Sequence, residues 1–355
     1  MVNKLNLIFH LKKPYLEIAK EEVISLIKPN RYFLFDDILL CEYKGITFSS
    51  HISSKIVDFY SKRLGFTHSI YNFIFKATKN NFFKKVRNYD WYKLYKKSFC
   101  VRYHGNFFQE KYVADLIYEN LKSSFKKKPC VNLKKPFTKI EFFEKDDFII
   151  AGLFLKEVDK TYLNRKAHLR PGFHPTSLSP DLARACINLT GLKKGLIFDP
   201  FCGSGGILIE AGLIGFNVMG IDIIKKQLDY AKINLDFYKI KNYKLLNLDE
   251  RKITLNLLFD NKLFSTKMDF AIVSDLPYGK GSYGKDLENL YEQFLINSKD
   301  IMKTSFKKGI NMVLIFPHFI NYKKIIRKLN LKIKREFSYY VHKSLTRKIV
   351  VLNLN

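Results

Sequence analysis

The chain has 355 residues, of which 47% are hydrophobic, so it can form two or three domains with substantial cores and is not disordered throughout. Its formal net charge is +29, which favours a polyanion such as nucleic acid as a partner. No apolar run is long enough for a membrane span, so no membrane partner is expected. The five cysteines contain no CxxC pair and the eight histidines show no metal-ligand spacing, which indicates a reducing cytoplasm and no bound metal.

Residues 1–60 are predicted to form a small α+β unit of the ferredoxin-like type. An apolar run predicts a strand over 5–11, and apolar residues at helical spacing predict a helix over 15–28. Two further strands, 31–35 and 38–41, flank the Asp36-Asp37 turn. No residue pattern in this unit points to chemistry, so we expect a packing or adaptor role.

Residues 61–158 are predicted to form a second unit, with strands over 98–103, 139–143 and 148–153 and a helix over 110–121. Between residues 79 and 140 there are 16 Lys and Arg against 4 Asp and Glu. Lysine runs usually mark only a solvated surface, but basic side chains interleaved with aromatic ones also suit a single-stranded nucleic acid. The residues concerned are Lys126, Lys127, Lys128, Lys134 and Lys135, with Phe107, Phe108, Tyr112 and Phe125.

This second unit resembles a THUMP domain, an RNA-binding module that is fused to tRNA-modifying enzymes. The resemblance is carried by Val101-Arg102, Val131-Asn132-Leu133, Pro136 and residues 148–155. It implies that the unit holds the 3′ end of tRNA, without indicating which lysine contacts phosphate.

A charged, polar linker is predicted over 159–169, and the remainder of the chain begins at residue 170. Ser179 as N-cap and Pro180 at the first helical position predict a helix that Gly191 ends. The segment before this helix contains Thr176 and Ser177, whose hydroxyl groups can donate hydrogen bonds. His174 in the same segment is interpreted as a capping or packing residue rather than a base.

A buried strand, a glycine-rich turn and a helix follow one another over 196–211. The turn is Asp199-Pro200-Phe201-Cys202-Gly203-Ser204-Gly205-Gly206, and its glycines let a ligand approach bare backbone amides. Alone, this pattern is a weak signal. Asp222 at the tip of the next strand is placed for ribose hydroxyls, and Asp249 after the third strand for an adenine amino group. Cys202, inside the turn, is interpreted as a packing residue rather than a nucleophile.

The fourth strand of this half ends in Ser274-Asp275-Leu276-Pro277-Tyr278-Gly279. A helix over 287–301, a strand over 311–316 and a basic helix over 322–329 follow, and 331–341 can pair with 349–354 as a closing hairpin. This alternation predicts an α/β domain over 170–355 with a seven-stranded, mostly parallel, Rossmann-like sheet.

These motifs, in this order, resemble those of the class I S-adenosylmethionine-dependent methyltransferases that act on exocyclic amino groups of nucleobases. The fourth-strand motif of that family is Asp/Asn-Pro-Pro-aromatic, and here leucine replaces the first proline. The resemblance implies that Asp275 and the Leu276 carbonyl accept from the amine, that Tyr278 stacks on a flipped base, and that Pro277 completes the catalytic motif. It implies S-adenosylmethionine as cofactor, bound by Thr176, Asp199, Gly203, Ser204, Gly205, Asp222, Asp249 and Asp275.

With the THUMP-like unit and the 173–178 segment, the motifs resemble tRNA guanine-N2 methyltransferases, above all the archaeal enzymes that act on guanosine 10. The partner is then tRNA, and Lys343 and Arg347 near the last turn are expected to contact its phosphates. Methylation of tRNA guanosine 6 or of ribosomal RNA, adenine-N6 methylation and a non-catalytic RNA-binding role stay open as alternatives. The chain is expected to act in the cytoplasm, either as a monomer or with a small activating subunit.

Overall fold

The computed structural model describes residues 4–47, 50–124, 128–174, 177–253, 268–279, 287–303 and 311–353. The chain divides into two compact units, each with its own seven-stranded sheet. The first unit consists of Met1–Pro14, Pro29–Ser61 and Thr67–Val158. The second consists of Tyr15–Lys28, Lys62–Phe66 and Asp159–Asn355.

The chain contains 14 strands and nine α-helices within the described residues. The strands are β1 (Lys4–Leu11), β2 (Arg31–Phe35), β3 (Ile38–Thr47), β4 (Thr67–Thr78), β5 (Phe99–His104), β6 (Thr138–Lys145), β7 (Phe148–Glu157), β8 (Leu196–Asp199), β9 (Asn217–Asp222), β10 (Tyr243–Asn247), β11 (Phe270–Asp275), β12 (Asn311–Pro317), β13 (Lys332–His342) and β14 (Leu345–Asn353). The α-helices are α1 (Leu16–Ile27), α2 (Ser50–Arg63), α3 (Phe82–Asn88), α4 (Glu110–Ser124), α5 (Pro180–Leu189), α6 (Gly206–Leu213), α7 (Lys225–Phe237), α8 (Leu287–Lys303) and α9 (Tyr322–Lys328). Within the described ranges, no helix combines the length and apolar character that crossing a membrane requires.

The first unit is one sheet with the strand order β2-β3-β1-β4-β7-β6-β5. Its neighbours are antiparallel except for β5 and β6, which are parallel. Strand β1 pairs with β3 on one side and with β4 on the other. The strands expected to form two units, 1–60 and 61–158, therefore lie in a single sheet. Strand β1 joins the two sets, because one of its edges pairs with β3 and the other pairs with β4. The identification of this unit with a THUMP domain stays a prediction.

Helix α1 belongs to the second unit, although its sequence lies within the first sixty residues. A buried carboxylate contributes to this placement. Glu22 accepts hydrogen bonds from the backbone N–H groups of Gly65 and Phe66 at 2.8 and 3.0 Å and from Asn188 Nδ2 of α5 at 2.8 Å. A carboxylate without exposure to water needs such donors, and these lie in the second unit.

The segment predicted as a linker, 159–169, packs into the second unit instead. Tyr162 and Arg165 are buried, and Arg165 donates to the two oxygens of Glu210 at 2.7 and 2.9 Å. Arg184 of α5 donates to the same carboxylate at 2.8 Å. The charged residues that made this segment look like a solvated linker thus include part of a buried ion network, in which ionic partners replace water.

The sheet of the second unit has the strand order β10-β9-β8-β11-β12-β14-β13. Its first five strands are parallel, and β13 and β14 add an antiparallel hairpin at the β12 edge. This confirms the predicted Rossmann-like α/β fold. Strands β8, β11 and β12 are buried along nearly their whole length, as expected for parallel strands covered on both faces. Their carboxyl ends lie at one edge of the sheet, the usual place for a ligand site.

Candidate active site

A cavity of about 450 Å³ lies at the carboxyl edge of the second sheet. Three neighbouring strands, β8, β9 and β11, end in the cavity-lining residues Asp199, Asp222 and Asp275. These aspartates give the cavity an acidic lining in a chain with a net charge of +29. Such a lining favours a cationic or hydrogen-donating ligand over a phosphate-rich one.

The glycine-rich turn after β8 leaves open space where a side chain would otherwise be. Gly203 has a φ of 51°, and a Cβ added there would meet no atom within 4 Å. The carboxylate of Asp222 fixes the turn, because its Oδ2 accepts from the Gly203 N–H at 2.9 Å. Its Oδ1 accepts from the Ile224 N–H at 2.8 Å. Each Asp222 oxygen keeps a lone pair for another donor. Both oxygens can therefore still accept hydrogen bonds from ribose hydroxyls, as the sequence predicts.

Asn234 of α7 ties this turn to the segment before α5, and the sequence did not single it out. Its Nδ2 donates to the carbonyl oxygens of Ser204 and Gly172, both at 2.9 Å, and its Oδ1 accepts from the Gly172 N–H at 2.9 Å. Ser204 Oγ also lies 2.9 Å from Ser177 Oγ. A lone asparagine in a helical pattern gives no signal that separates it from a surface residue. Thr176, the predicted cofactor contact in this segment, lies outside the described residues.

Asp199 is held beneath the cavity floor. It is 2% exposed, and its Oδ1 accepts from Ser274 Oγ at 2.6 Å and from the Phe201 N–H at 3.2 Å. Burial raises the pKa of Asp199 to about 7. Burial also raises the pKa of the Cys202 thiol well above its usual value, which keeps the thiol protonated and favours the packing interpretation over a nucleophile.

The Asp275-Leu276-Pro277-Tyr278 motif forms the turn after β11 and lines the cavity. Leu276 occupies the position of the first proline in the family motif, and its N–H donates to the Ile315 carbonyl oxygen at 3.0 Å. Proline has no N–H, so leucine adds a hydrogen bond between β11 and β12 that proline would lose. The hydroxyl of Tyr291 in α8 donates to the Pro277 carbonyl oxygen. These contacts explain how the turn tolerates the leucine.

Arg347 lies beside Asp275 rather than on an RNA-facing surface. It is 6% exposed, and it donates from Nη2 to Asp275 Oδ2 at 3.0 Å and from Nε to Tyr278 Oη at 2.9 Å. The Tyr278 hydroxyl donates to Asp275 Oδ1. The expectation that Arg347 contacts RNA phosphates does not fit this geometry, because the guanidinium is turned inward onto a buried carboxylate. Burial raises the pKa of Asp275, and the charge of Arg347 opposes that rise.

Asp249 is not among the described residues that line the cavity. Its carboxylate accepts from the Arg251 N–H at 3.0 Å and pairs with the Arg251 guanidinium at 2.6 Å, so it caps the turn that follows it. Within the described residues, no group of three His, Cys, Asp or Glu side chains is arranged to hold a metal ion. Further cavity-lining residues that the sequence did not indicate include Gln227 of α7, Phe319 after β12, and His342, Ser344 and Leu345 around the turn between β13 and β14.

The predicted RNA-binding lysines divide into described and undescribed positions. Lys128, Lys134 and Lys135 are exposed in the first unit, and Lys343 is exposed in the turn between β13 and β14. The side chain of Asn132 accepts from the backbone N–H groups of Lys134 and Lys135. Lys126 and Lys127 lie outside the described residues. Contact between any of these lysines and RNA stays a prediction.

Comparisons with known proteins agree with this geometry. A family model described as an RMKL-like methyltransferase domain matches residues 167–349, and one described as a DNA methylase matches residues 9–233. The tRNA (guanine(10)-N2)-dimethyltransferase of Methanothermobacter thermautotrophicus is 34% identical over 82% of this chain and 83% of its own. The tRNA (guanine(6)-N2)-methyltransferase of Methanocaldococcus jannaschii is 24% identical over 73% of this chain and 77% of its own. The crystal structure of a possible methylase from Clostridium difficile 630 has a TM-score of 0.50 at 15% identity, covers 99% of this chain and 98% of its own, and supports the fold alone.

Proposed function

The chain belongs to the family of RMKL-like methyltransferases and to that of the tRNA (guanine(10)-N2)-dimethyltransferases, and we propose that it methylates the exocyclic N2 of guanosine 10 in tRNA. The cofactor of this family is S-adenosylmethionine. The observation that carries the proposal is that Asp275 and Tyr278 line the same cavity as the glycine turn and Asp222. An acceptor for an amine and a platform for a base thus share one space with a nucleoside-type cofactor site.

The residues present fit S-adenosylmethionine. Gly203 leaves a cradle that any side chain would fill, and the carboxylate of Asp222 borders it. Gly203, Ser204 and Asp222 line the cavity and would hold the cofactor, with Asp199 fixing the turn from below. Gly205, also predicted to bind the cofactor, does not line the cavity and lies against Ala231 of α7. When bound, S-adenosylmethionine supplies an electrophilic methyl group on a sulfonium centre.

Asp275 is the residue that activates the substrate amine. The guanine amine is a poor nucleophile because its lone pair is delocalised into the ring. A carboxylate that accepts one N2–H bond draws the amine out of this conjugation, and it takes the proton that the nitrogen loses once it is methylated. Tyr278 beside it offers a stacking surface for the base, which must leave its stem to reach the cavity. Positioning of these groups supplies much of the rate gain.

The test is methyl transfer from labelled S-adenosylmethionine to unmodified tRNA transcripts, with G10 or G6 replaced in separate transcripts. We expect incorporation to be lost only when G10 is replaced. Asp275→Ala is expected to keep tRNA affinity but to lower turnover by about 10²–10⁴-fold, as for the loss of an acid–base group. Asp229→Ala, a change at an exposed aspartate of α7, is the control and is expected to match the wild type. Wild-type turnover by Asp275→Ala would contradict the role of Asp275.

Other outcomes of the same assay separate the alternatives. Loss of incorporation only when G6 is replaced would leave the proposed mechanism unchanged and would identify guanosine 6 as the target nucleotide. Because one family model that matches the chain describes a DNA methylase, duplex DNA is tested as well, and incorporation into it would favour adenine-N6 methylation. Incorporation only into ribosomal RNA would identify ribosomal RNA as the substrate. Binding of both cofactor and tRNA without turnover would indicate that the chain needs a small activating subunit. Binding of tRNA without binding of cofactor would indicate a non-catalytic role. A cytoplasmic location is part of the proposal, because all five cysteines are free thiols.

A further inference from the structure

A buried ring of three hydrogen bonds joins Asp275, Tyr278 and Arg347. Arg347 donates to Asp275 Oδ2 at 3.0 Å and to Tyr278 Oη at 2.9 Å, and the Tyr278 hydroxyl closes the ring by donating to Asp275 Oδ1. Each carboxylate oxygen therefore has one donor in place and retains lone-pair capacity for another. An incoming amine meets a carboxylate whose orientation is already set.

The position of the guanidinium is fixed by the sheet. Arg347 is paired with Pro317 of β12 on one side and with Tyr339 of β13 on the other, so its backbone lies between two strands. Strand β12 in turn pairs with β11, which ends in Asp275. A planar fork that extends from an inner strand is pre-organised for bidentate contact, and its burial limits competition from water.

We propose that Arg347 is a positioning residue of the methyl-transfer site, holding Asp275 and Tyr278 as one rigid unit against which the amine of the substrate base is aligned. This inference rests on the proposed function. It assigns a role to the hairpin of β13 and β14, whose turn also lines the cavity through His342 and Ser344. Arg347 acts through its two partners, whereas these partners contact the base.

The charge of Arg347 also matters, because a buried carboxylate resists ionisation. Burial raises the pKa of Asp275 and Arg347 lowers it. Only the ionised carboxylate can take the proton of the amine, so turnover is lost as pH falls through this pKa. Removing Arg347 moves that loss to higher pH. The other titratable groups that face Asp275 are Asp199 of β8, Cys186 of α5, Tyr278 and Tyr291 of α8.

The experiment compares kcat against pH for the wild type, Arg347→Met and Arg347→Lys, with tRNA transcripts and saturating S-adenosylmethionine. Arg347→Met removes the charge and the fork, so we expect kcat at pH 7 to fall by about 100-fold. We also expect the acidic limb of its profile to move up by about one pH unit or more. Arg347→Lys keeps the charge without the fork. Its acidic limb is expected to stay near the wild-type position while kcat falls by about 10-fold or more.

Lys348→Met is the matched control, because it removes the same charge one residue further along β14. Lys348 donates to Ser338 Oγ at 2.8 Å, away from the ring, so its profile should match the wild type. Melting temperature and cofactor affinity, measured for every variant, show which of them fold.

The outcomes separate this inference from the proposed function. Absence of wild-type turnover on any tRNA contradicts the function itself. With wild-type turnover present, an Arg347→Met profile that superimposes on the wild type overturns the positioning role. An equal loss at every pH in both variants reduces Arg347 to a packing residue and also overturns it. If Arg347→Met does not fold, Arg347→Lys decides: an undiminished kcat overturns the role, and so does a lowered kcat accompanied by a lowered melting temperature or cofactor affinity, whereas a kcat lowered by about 10-fold or more with both of these unchanged supports it.

Discussion

Gly203 lines the cavity, and a side chain added there would meet no neighbouring atom of the protein at its Cβ. A Cβ at this position meets no atom within 4 Å, so the side chain of Gly203→Val would project into open space. That space is the predicted cofactor site. We therefore expect cofactor affinity, measured by calorimetry, to fall by at least about tenfold, which is ~1.4 kcal/mol.

Gly215→Val is the control for backbone strain in this experiment. Gly215 also has a positive φ, 92°, and a Cβ there also meets no atom within 4 Å, but Gly215 does not line the cavity. Both valines should cost about 1–2 kcal/mol of stability, because L-residues resist the left-handed region. Equal cofactor affinities for the two variants would mean that the space beside Gly203 is not the cofactor site.

Single residues show where prediction from sequence ends. Asp199, Asp222 and Asp275 each follow an apolar strand, and parallel strands bring such residues to one edge, so their convergence could be predicted. The partner of Asp275 could not, because Arg347 lies 72 residues further on and no local pattern connects the two. Asp249 was predicted to accept from an adenine amino group, but its carboxylate is held by Arg251, only two residues further along the chain. Here the partner is local, and the sequence alone could have indicated it.

Helices α5 and α6 are joined by a buried ion network around Glu210, whose side chain has no exposure. Arg165 and Arg184 both donate to this carboxylate. Glu210→Gln keeps the shape but removes the charge that two buried arginines share. Because an uncompensated buried charge is costly, we expect the free energy of unfolding to fall by about 3–5 kcal/mol in denaturant titrations.

An exposed pair provides the contrast for this prediction. In α7, Lys225 Nζ lies 2.7 Å from Asp229 Oδ1, four residues further along the helix, and both side chains are more than half exposed. Asp229→Asn should change stability by no more than about 0.5 kcal/mol. A Glu210→Gln loss as small as this would show that the buried network contributes little to stability.

Elements were easier to predict than their pairing. The hydrophobic patterns placed β5, α4, α5, β8 and the β13–β14 hairpin to within a few residues, because periodicity is a local property. Sheet membership depends on which distant edges meet, so the sequence could not show that β1 pairs with both β3 and β4. The same limit explains why α1 was placed with its sequence neighbours, whereas Glu22 is satisfied by donors around residues 65 and 188.

Charge is distributed unevenly over the whole molecule. The net charge is +29, yet three aspartates line the cavity of the second unit. A basic exterior favours a polyanion through counterion release, and an acidic cavity admits the cationic cofactor and the amine of a base. Residues 79–140 of the first unit, with 16 Lys and Arg against 4 Asp and Glu, are the candidate RNA surface.

Replacing Lys126, Lys127 and Lys128 with glutamine tests this RNA surface. If these lysines contact phosphates, tRNA affinity falls, and the slope of log affinity against log salt concentration becomes shallower by about 1–3. The matched control replaces Lys193, Lys194 and Lys241, which are exposed and precede β8 and β10 at the sheet edge opposite the cavity. It removes the same total charge, so a general field effect would weaken binding equally in both variants. An unchanged slope in the first variant would remove these lysines from the RNA site, whereas a change confined to it would localise tRNA binding to the first unit.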